Sequence, residues 1–87
     1  MTETEAADAA RRMTDPAIRT VYPSHVVSGR HFALEACAYA TERADAYAKS
    51  NDHGVDHPMV IGYLAVAREY AAIAAKQTRA LLDAALA

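Results

Sequence analysis

Two histidines and two aspartates fall within six residues, Asp52-His53-Gly54-Val55-Asp56-His57, the densest set of potential ligands in the chain. Imidazole and carboxylate are donors that divalent metals accept. The spacing nevertheless puts His53 and His57 across a loop and a helix start, not on one helical face. Asp52 suits a turn, and Asp56 suits a helix N-cap, where a carboxylate takes hydrogen bonds from unpaired N–H groups. The plain reading is a solvated turn with a cap. His53 and His57 are kept as weak metal candidates, or as a pH-sensitive element, because imidazole titrates near neutrality.

The other chemistry-bearing residues are scattered. His25 and His31 stand near the start of a predicted helix, and His31 precedes Glu35 by four residues, the spacing of an exposed pair on one face. Carboxylate-bridged di-iron bundles use Glu-x-x-His, and no Glu here has His at the third position after it. Nucleophilic catalysis requires a Ser or Cys in a special turn with a base at hand. Ser24, Ser28 and Ser50 read as caps or turn residues. Cys37, on an Ala-rich helix, reads as a small core residue. One cysteine allows neither an internal disulfide framework nor a multi-cysteine zinc site. Gly29, Gly54 and Gly62 are the only glycines and form no phosphate-cradling loop. The Arg-x4-His spacing of some helical ribonucleases is missed, since five residues separate Arg19 from His25. The sequence therefore reads as non-enzymatic, with no cofactor.

The elements that position these residues are helical. From Asp56 to Ala87 the only breaker-type residues are Pro58, tolerated in a first turn, and Gly62, which costs about 1 kcal/mol against Ala. Met59, Tyr63, Val66, Tyr70, Ile73, Gln77, Ala80 and Ala84 recur at alternating spacings of four and three, a heptad seam. Val60, Leu64, Ala67, Ala71, Ala74, Thr78, Leu81 and Ala85 form a second seam beside it. An apolar arc that wide predicts contact with two or more neighbours. A helix of this length spans about 45 Å.

Upstream, a second major helix is predicted from Ser24 or Ser28 to Lys49. Its seam of Ala33, Cys37, Ala40, Ala44 and Tyr47 is flanked by Phe32 and Tyr39. Asp45 and Lys49 are spaced for an i,i+4 pair. Small residues on this seam complement the bulkier C-terminal helix, and the short link through Asn51 and Gly54 makes the two antiparallel neighbours. At the N-terminus, Thr2 and Glu5 fit a capping box and open a short helix from about Thr4 to Met13. Asp15-Pro16 then reads as the cap and first position of another short helix, ending near Val21 before Pro23. Tyr22 reads as an anchor for that elbow. Residues 1–14 are either a packed first helix or a mobile, mildly acidic arm.

Composition sets the scale. The chain has 87 residues, 53% of them apolar, and a net charge of −2 with both signs interspersed. Twenty-two of the apolar residues are Ala, each contributing only about 0.8 kcal/mol on burial. A domain of this size is marginally stable even with a good core, so self-association or a protein partner is expected. No basic stripe marks a nucleic-acid footprint. No apolar run approaches the ~20 residues of a membrane span, and no secretory leader is visible. A cytoplasmic protein is expected. Abundant Ala and an excess of Arg over Lys resemble the proteins of high-GC bacteria, actinobacteria included, and their phages.

The expected fold is all-α: one domain over 1–87, an antiparallel hairpin of roughly 24–50 and 56–86, with one or two short N-terminal helices, two such hairpins pairing into a four-helix bundle. The expected function is interaction or assembly through helix faces, as a homodimer or higher oligomer, or as a subunit of a larger complex. The alternative is an inhibitor or antitoxin-like protein that blocks a partner with its N-terminal arm. Tyr favours interfaces because it buries a ring while keeping a wet hydroxyl. Tyr63, Val66, Tyr70, Ile73, Phe32 and Tyr39 are accordingly the interface candidates.

Overall fold

The structure is a computed structural model and describes residues 2–21, 29–50 and 54–87. It contains three α-helices, α1 (Glu3–Val21), α2 (Gly29–Ser50) and α3 (Pro58–Leu86), with a short 3₁₀ turn, Gly54–Asp56, leading into α3. There is no strand among the described residues. Tyr22, Pro23, Ser24, His25, Ser28, Asn51, Asp52 and His53, to which the sequence assigns anchor, cap, turn or ligand roles, lie outside the described residues.

The helices run up, down and up. Gly29 meets Gln77, Phe32 meets Tyr70, Tyr39 meets Tyr63 and Tyr47 meets His57, so α2 and α3 are antiparallel. Ala6 touches Gly62 and Arg11 reaches Glu69, so α1 lies parallel to α3. The assembly measures 51 × 24 × 21 Å.

α1 opens with the predicted capping box. The Glu5 N–H donates to Thr2 Oγ1 at 3.1 Å, and the Thr2 N–H donates to Glu5 Oε1 at 3.3 Å. The predicted break at Asp15-Pro16 is overturned, because α1 continues through Pro16 as one helix. An interior proline removes a hydrogen bond and clashes with the preceding turn, yet here packing outweighs it. Ala6, Ala10, Thr14 and Ile18 are all buried, an i,i+4 stripe that crosses the proline without interruption. Pro16 itself is on the exposed face, where water can take up the freed carbonyl of Arg12. Thr14, buried among apolar groups, donates its hydroxyl to the Ala10 carbonyl at 2.7 Å. The Asp15–Arg19 pair at 3.0 Å bridges the proline's turn. With Ala6 and Ala10 wholly buried, residues 3–14 are a docked helix and not a free arm.

Gly62 explains how α1 comes so close to α3. A Cβ at this position would lie 2.5 Å from the Ala6 carbonyl oxygen and 3.0 Å from Ala6 Cβ. The glycine that the sequence presents as a propensity penalty lets two helix backbones come close together.

The N-cap of α3 is His57, not Asp56. His57 has extended φ/ψ, and its Nδ1 accepts the Met59 N–H at 3.0 Å. Gly54, at φ +56°, starts a 3₁₀ turn closed by a bond from the His57 N–H to the Gly54 carbonyl at 3.2 Å. That turn places Asp56 one residue too early to cap. The core consists of Ala10 from α1, Ala40 and Ala44 from α2, and Val60, Tyr63, Val66 and Ala67 from α3.

Candidate docking surface

The residues with chemical potential do not converge. His57 is engaged as a cap, and its ring stacks on Tyr47 with centroids 5.2 Å apart. Its proposed co-ligand His53 is among the residues not described. His31 lies 3.9 Å from Glu35 in the exposed pair their spacing implies. Cys37 is a free, half-buried thiol. Among the described residues, no three His, Cys, Asp or Glu side chains are grouped to hold a metal.

The tyrosines do converge, inside the chain. Tyr63 is only 1% exposed. It contacts Tyr39 edge-on at 6.4 Å and stacks with Tyr47 at 5.9 Å. Arg43 covers this cluster, 5.4 Å from the Tyr47 ring centroid, and its guanidinium reaches the Tyr63 hydroxyl, which holds Arg43 above its ordinary pKa. Burial, then the neighbouring Tyr39, pushes the Tyr63 phenol up, and the Arg43 contact partly offsets this. Tyr70 is also raised, first by burial and then by Asp15. It packs on Phe32 at 6.0 Å, and Arg19 lies 5.0 Å from the Phe32 centroid.

These contacts relocate the six interface candidates. Tyr63 and Val66 are core residues of the single chain, out of reach of a second molecule while the fold is closed. Phe32, Tyr39 and Tyr70 are half-buried between helices. Ile73 is 45% exposed, so of the six it offers the most apolar surface outward.

A larger apolar surface lies on the other side of the hairpin. α1 covers the side of α3 that carries Gly62. Leu64 lies about 200° from Gly62 around the helix and is 44% exposed. From Leu64 a groove runs between α2 and α3 with no residue of α1 in its lining. Its α2 wall carries Leu34, Cys37 and Ala38, and its α3 wall carries Ala71, Ala75 and Leu82. Toward the loop a second hollow on the same face is lined by Thr41, Ala44, Ala48, Val60 and Leu64. On α3, Ile61, Leu64, Arg68, Ala71, Ala75, Thr78 and Leu82 follow one another at spacings of three and four, and on α2 so do Arg30, Leu34, Cys37, Thr41, Ala44 and Ala48. Both walls therefore have the heptad spacing that receives a further helix. Of this stripe on α3, only Leu64, Ala71 and Thr78 fall on the second seam read from the sequence.

The far end of α3 is also uncovered. α2 begins at Gly29, opposite Gln77, and Arg30 Nε donates to Thr78 Oγ1 at 2.8 Å. Beyond Gln77, α3 continues for nine residues, about 14 Å. Leu81, Leu82 and Leu86 are 61%, 57% and 83% exposed there. Among the described residues, Gln77 and Thr78 thus lie where α2 begins to pack on α3. The Gln77 Oε1 is buried there without a hydrogen-bond partner among the described residues.

The surface area measures what is left open. A compact monomer of 9.3 kDa exposes about 5,000 Å², whereas this chain exposes 5808 Å². The excess, about 800 Å², matches one partner's share of a standard protein interface. The radius of gyration, 14.5 Å, likewise exceeds the ~12 Å of a compact chain of this length.

No family model matches the chain, and comparison with curated proteins and with solved structures likewise gives no match. Over the described residues the chain is all-α, with three α-helices. Among the described residues, no helix is long and apolar enough to cross a membrane.

Proposed function

We propose that this chain is a non-enzymatic interaction or assembly protein that acts through helix faces, with the α2–α3 groove receiving another helix. A fourth helix laid in that groove would complete the bundle that α1, α2 and α3 begin. The supporting observation is the pair of apolar hollows along the α2–α3 face combined with about 800 Å² of surplus surface. Among the described residues, groups suited to catalysis are dispersed, and the aromatic cluster is consumed in packing. The inhibitor or antitoxin-like alternative has less support, because α1, its blocking arm, is docked on α3 through Ala6 and Ala10.

Ala75→Glu tests the reading. Ala75 is exposed and Glu is a good helix former, so the fold is retained while a charge enters the groove. Binding of an apolar fluorescent dye, or the oligomeric mass of the wild-type chain, should fall in the variant. Equal dye binding and equal mass in both proteins would remove the groove as the acting surface.

A further inference from the structure

We infer that the occupant of the groove is a second copy of this chain, lying antiparallel to the first about a two-fold axis that passes beside Cys37 and Ala71. The inference rests on the groove being the acting surface, as proposed above, and three observations select this partner and orientation.

The first is area. The excess surface equals one partner's share of a standard interface, about 800 Å². A two-fold dimer uses the same patch on both copies, so one groove on each chain suffices. The second is charge. Asp45 lines the loop end of the groove beside Val60 and Leu64, and Arg79 lines the opposite end beside Leu34 and Leu82. These ends are about 28 Å apart along α3 at 1.5 Å per residue, and Cys37 and Ala71 lie midway. A two-fold axis at that midpoint sets Asp45 against the partner's Arg79 and, by symmetry, repeats the pair. A parallel arrangement would set like ends together. Asp45 already holds Lys49 at 2.9 Å in a widely exposed pair, and a carboxylate has acceptor capacity for both cations. Arg68, the charge nearest the centre, is exposed on the same stripe as Leu64 and Ala71; the two-fold brings it near its own copy, and its length lets each guanidinium swing out into water.

The third is length. Past Gln77, Leu81, Leu82 and Leu86 are 61%, 57% and 83% exposed, and among the described residues Arg30 reaches α3 there through Thr78. In the antiparallel pair this extension runs alongside the loop end of the partner's groove. The four helices at the centre are then two copies of α2 and two of α3, with α1 outside on each flank.

The full-length chain is run by gel filtration with light scattering at two concentrations, alongside Ala75→Glu, Asp45→Arg, Arg79→Asp and the Asp45→Arg/Arg79→Asp double variant. The expected mass is twice 9.3 kDa, with Ala75→Glu monomeric. Each single charge reversal should weaken the dimer by roughly three- to ten-fold, the scale of exposed ion pairs, and the double variant should recover most of the loss. A short bis-maleimide should join two chains through Cys37, and Cys37→Ser should abolish the product. A monomer at both concentrations, or a mass above the dimer, overturns the inference. If such a monomer still binds the apolar dye and Ala75→Glu does not, the groove survives and awaits a different protein. A dimer untouched by Ala75→Glu refutes the groove itself. A dimer lost in Ala75→Glu, but indifferent to the charge reversals or unrestored by the double variant, refutes the antiparallel two-fold.

Discussion

Gly62→Ala places two effects in direct opposition. Alanine is favoured over glycine inside a helix by about 1 kcal/mol, so on propensity alone the variant should be more stable. The added Cβ would lie 2.5 Å from the Ala6 carbonyl oxygen and 2.6 Å from its carbon. Both are backbone atoms of a helix, so no side-chain rotation relieves them. To reach ordinary contact, α1 must withdraw by about 1 Å, which loosens the stripe of Ala6, Ala10, Thr14 and Ile18 at once, since a radial gap of that size forfeits a quarter to a half of each contact's dispersion energy. Overpacking of this kind costs about 1–3 kcal/mol. Net of propensity, the expected loss is up to about 2 kcal/mol, or a Tm lower by up to about 15 °C for a domain of this length. Thermal melting followed by far-UV circular dichroism, at one fixed protein concentration, measures it. Gly29→Ala is the internal control, because a Cβ there meets only the end of the flexible Gln77 side chain, and it should be near neutral. A Gly62→Ala melting point at or above wild type would refute the close approach of α1 to α3.

Further expectations follow from the same geometry. Pro16→Ala restores one helical hydrogen bond on an exposed face and should raise stability by about 1 kcal/mol or more; a lower Tm would mean that α1 is not one helix. His57→Ala removes the cap on Met59 and should cost about 1 kcal/mol, while His57→Asn should recover part of it; equal Tm values for the three proteins would refute the capping role. Tyr63 and Tyr70 have raised folded-state pKa values. The folded chain therefore holds their protons more tightly than the unfolded chain does. Their contribution is fully present below about pH 10 and is lost as pH rises through the folded values. Ultraviolet titration of the phenols should show a fraction ionising late and together with alkaline unfolding, and uniform early ionisation would contradict their burial.

The long helices were legible in the sequence because heptad spacing and Ala content determine them locally. The Thr2–Glu5 cap was legible because its signal is two residues at a fixed offset. What escaped is what depends on partners. Pro16 reads as a helix start until the unbroken stripe from Ala6 to Ile18 is seen docked on α3. Gly62 reads as a defect until Ala6 lies against it, and nothing in the chain announces a contact across that separation. Asp56 is a better N-cap type than His57, but the 3₁₀ turn at Gly54 shifts the helix start. The seam through Tyr63, Val66 and Tyr70 was visible, but periodicity does not distinguish a neighbour within the chain from one outside it. Ile73 lies alongside α2 but is 45% exposed, and the residues after Gln77 extend the same pattern past Gly29, the first described residue of α2.

The parallel placement of α1 on α3 also bears on the order in which the molecule forms. The α2–α3 contacts nearest the turn, such as Tyr47 with His57 and Tyr63, close short loops and can form early, whereas Ala6 reaches Gly62 only after most of the chain has been gathered, and loop closure grows more costly with length. On these grounds α1 is expected to dock last and to leave first. Its amides should exchange with solvent through a partial opening well below the global unfolding energy, and that opening would bare the Gly62–Val66 side of the hairpin, a second groove on the opposite side from the first.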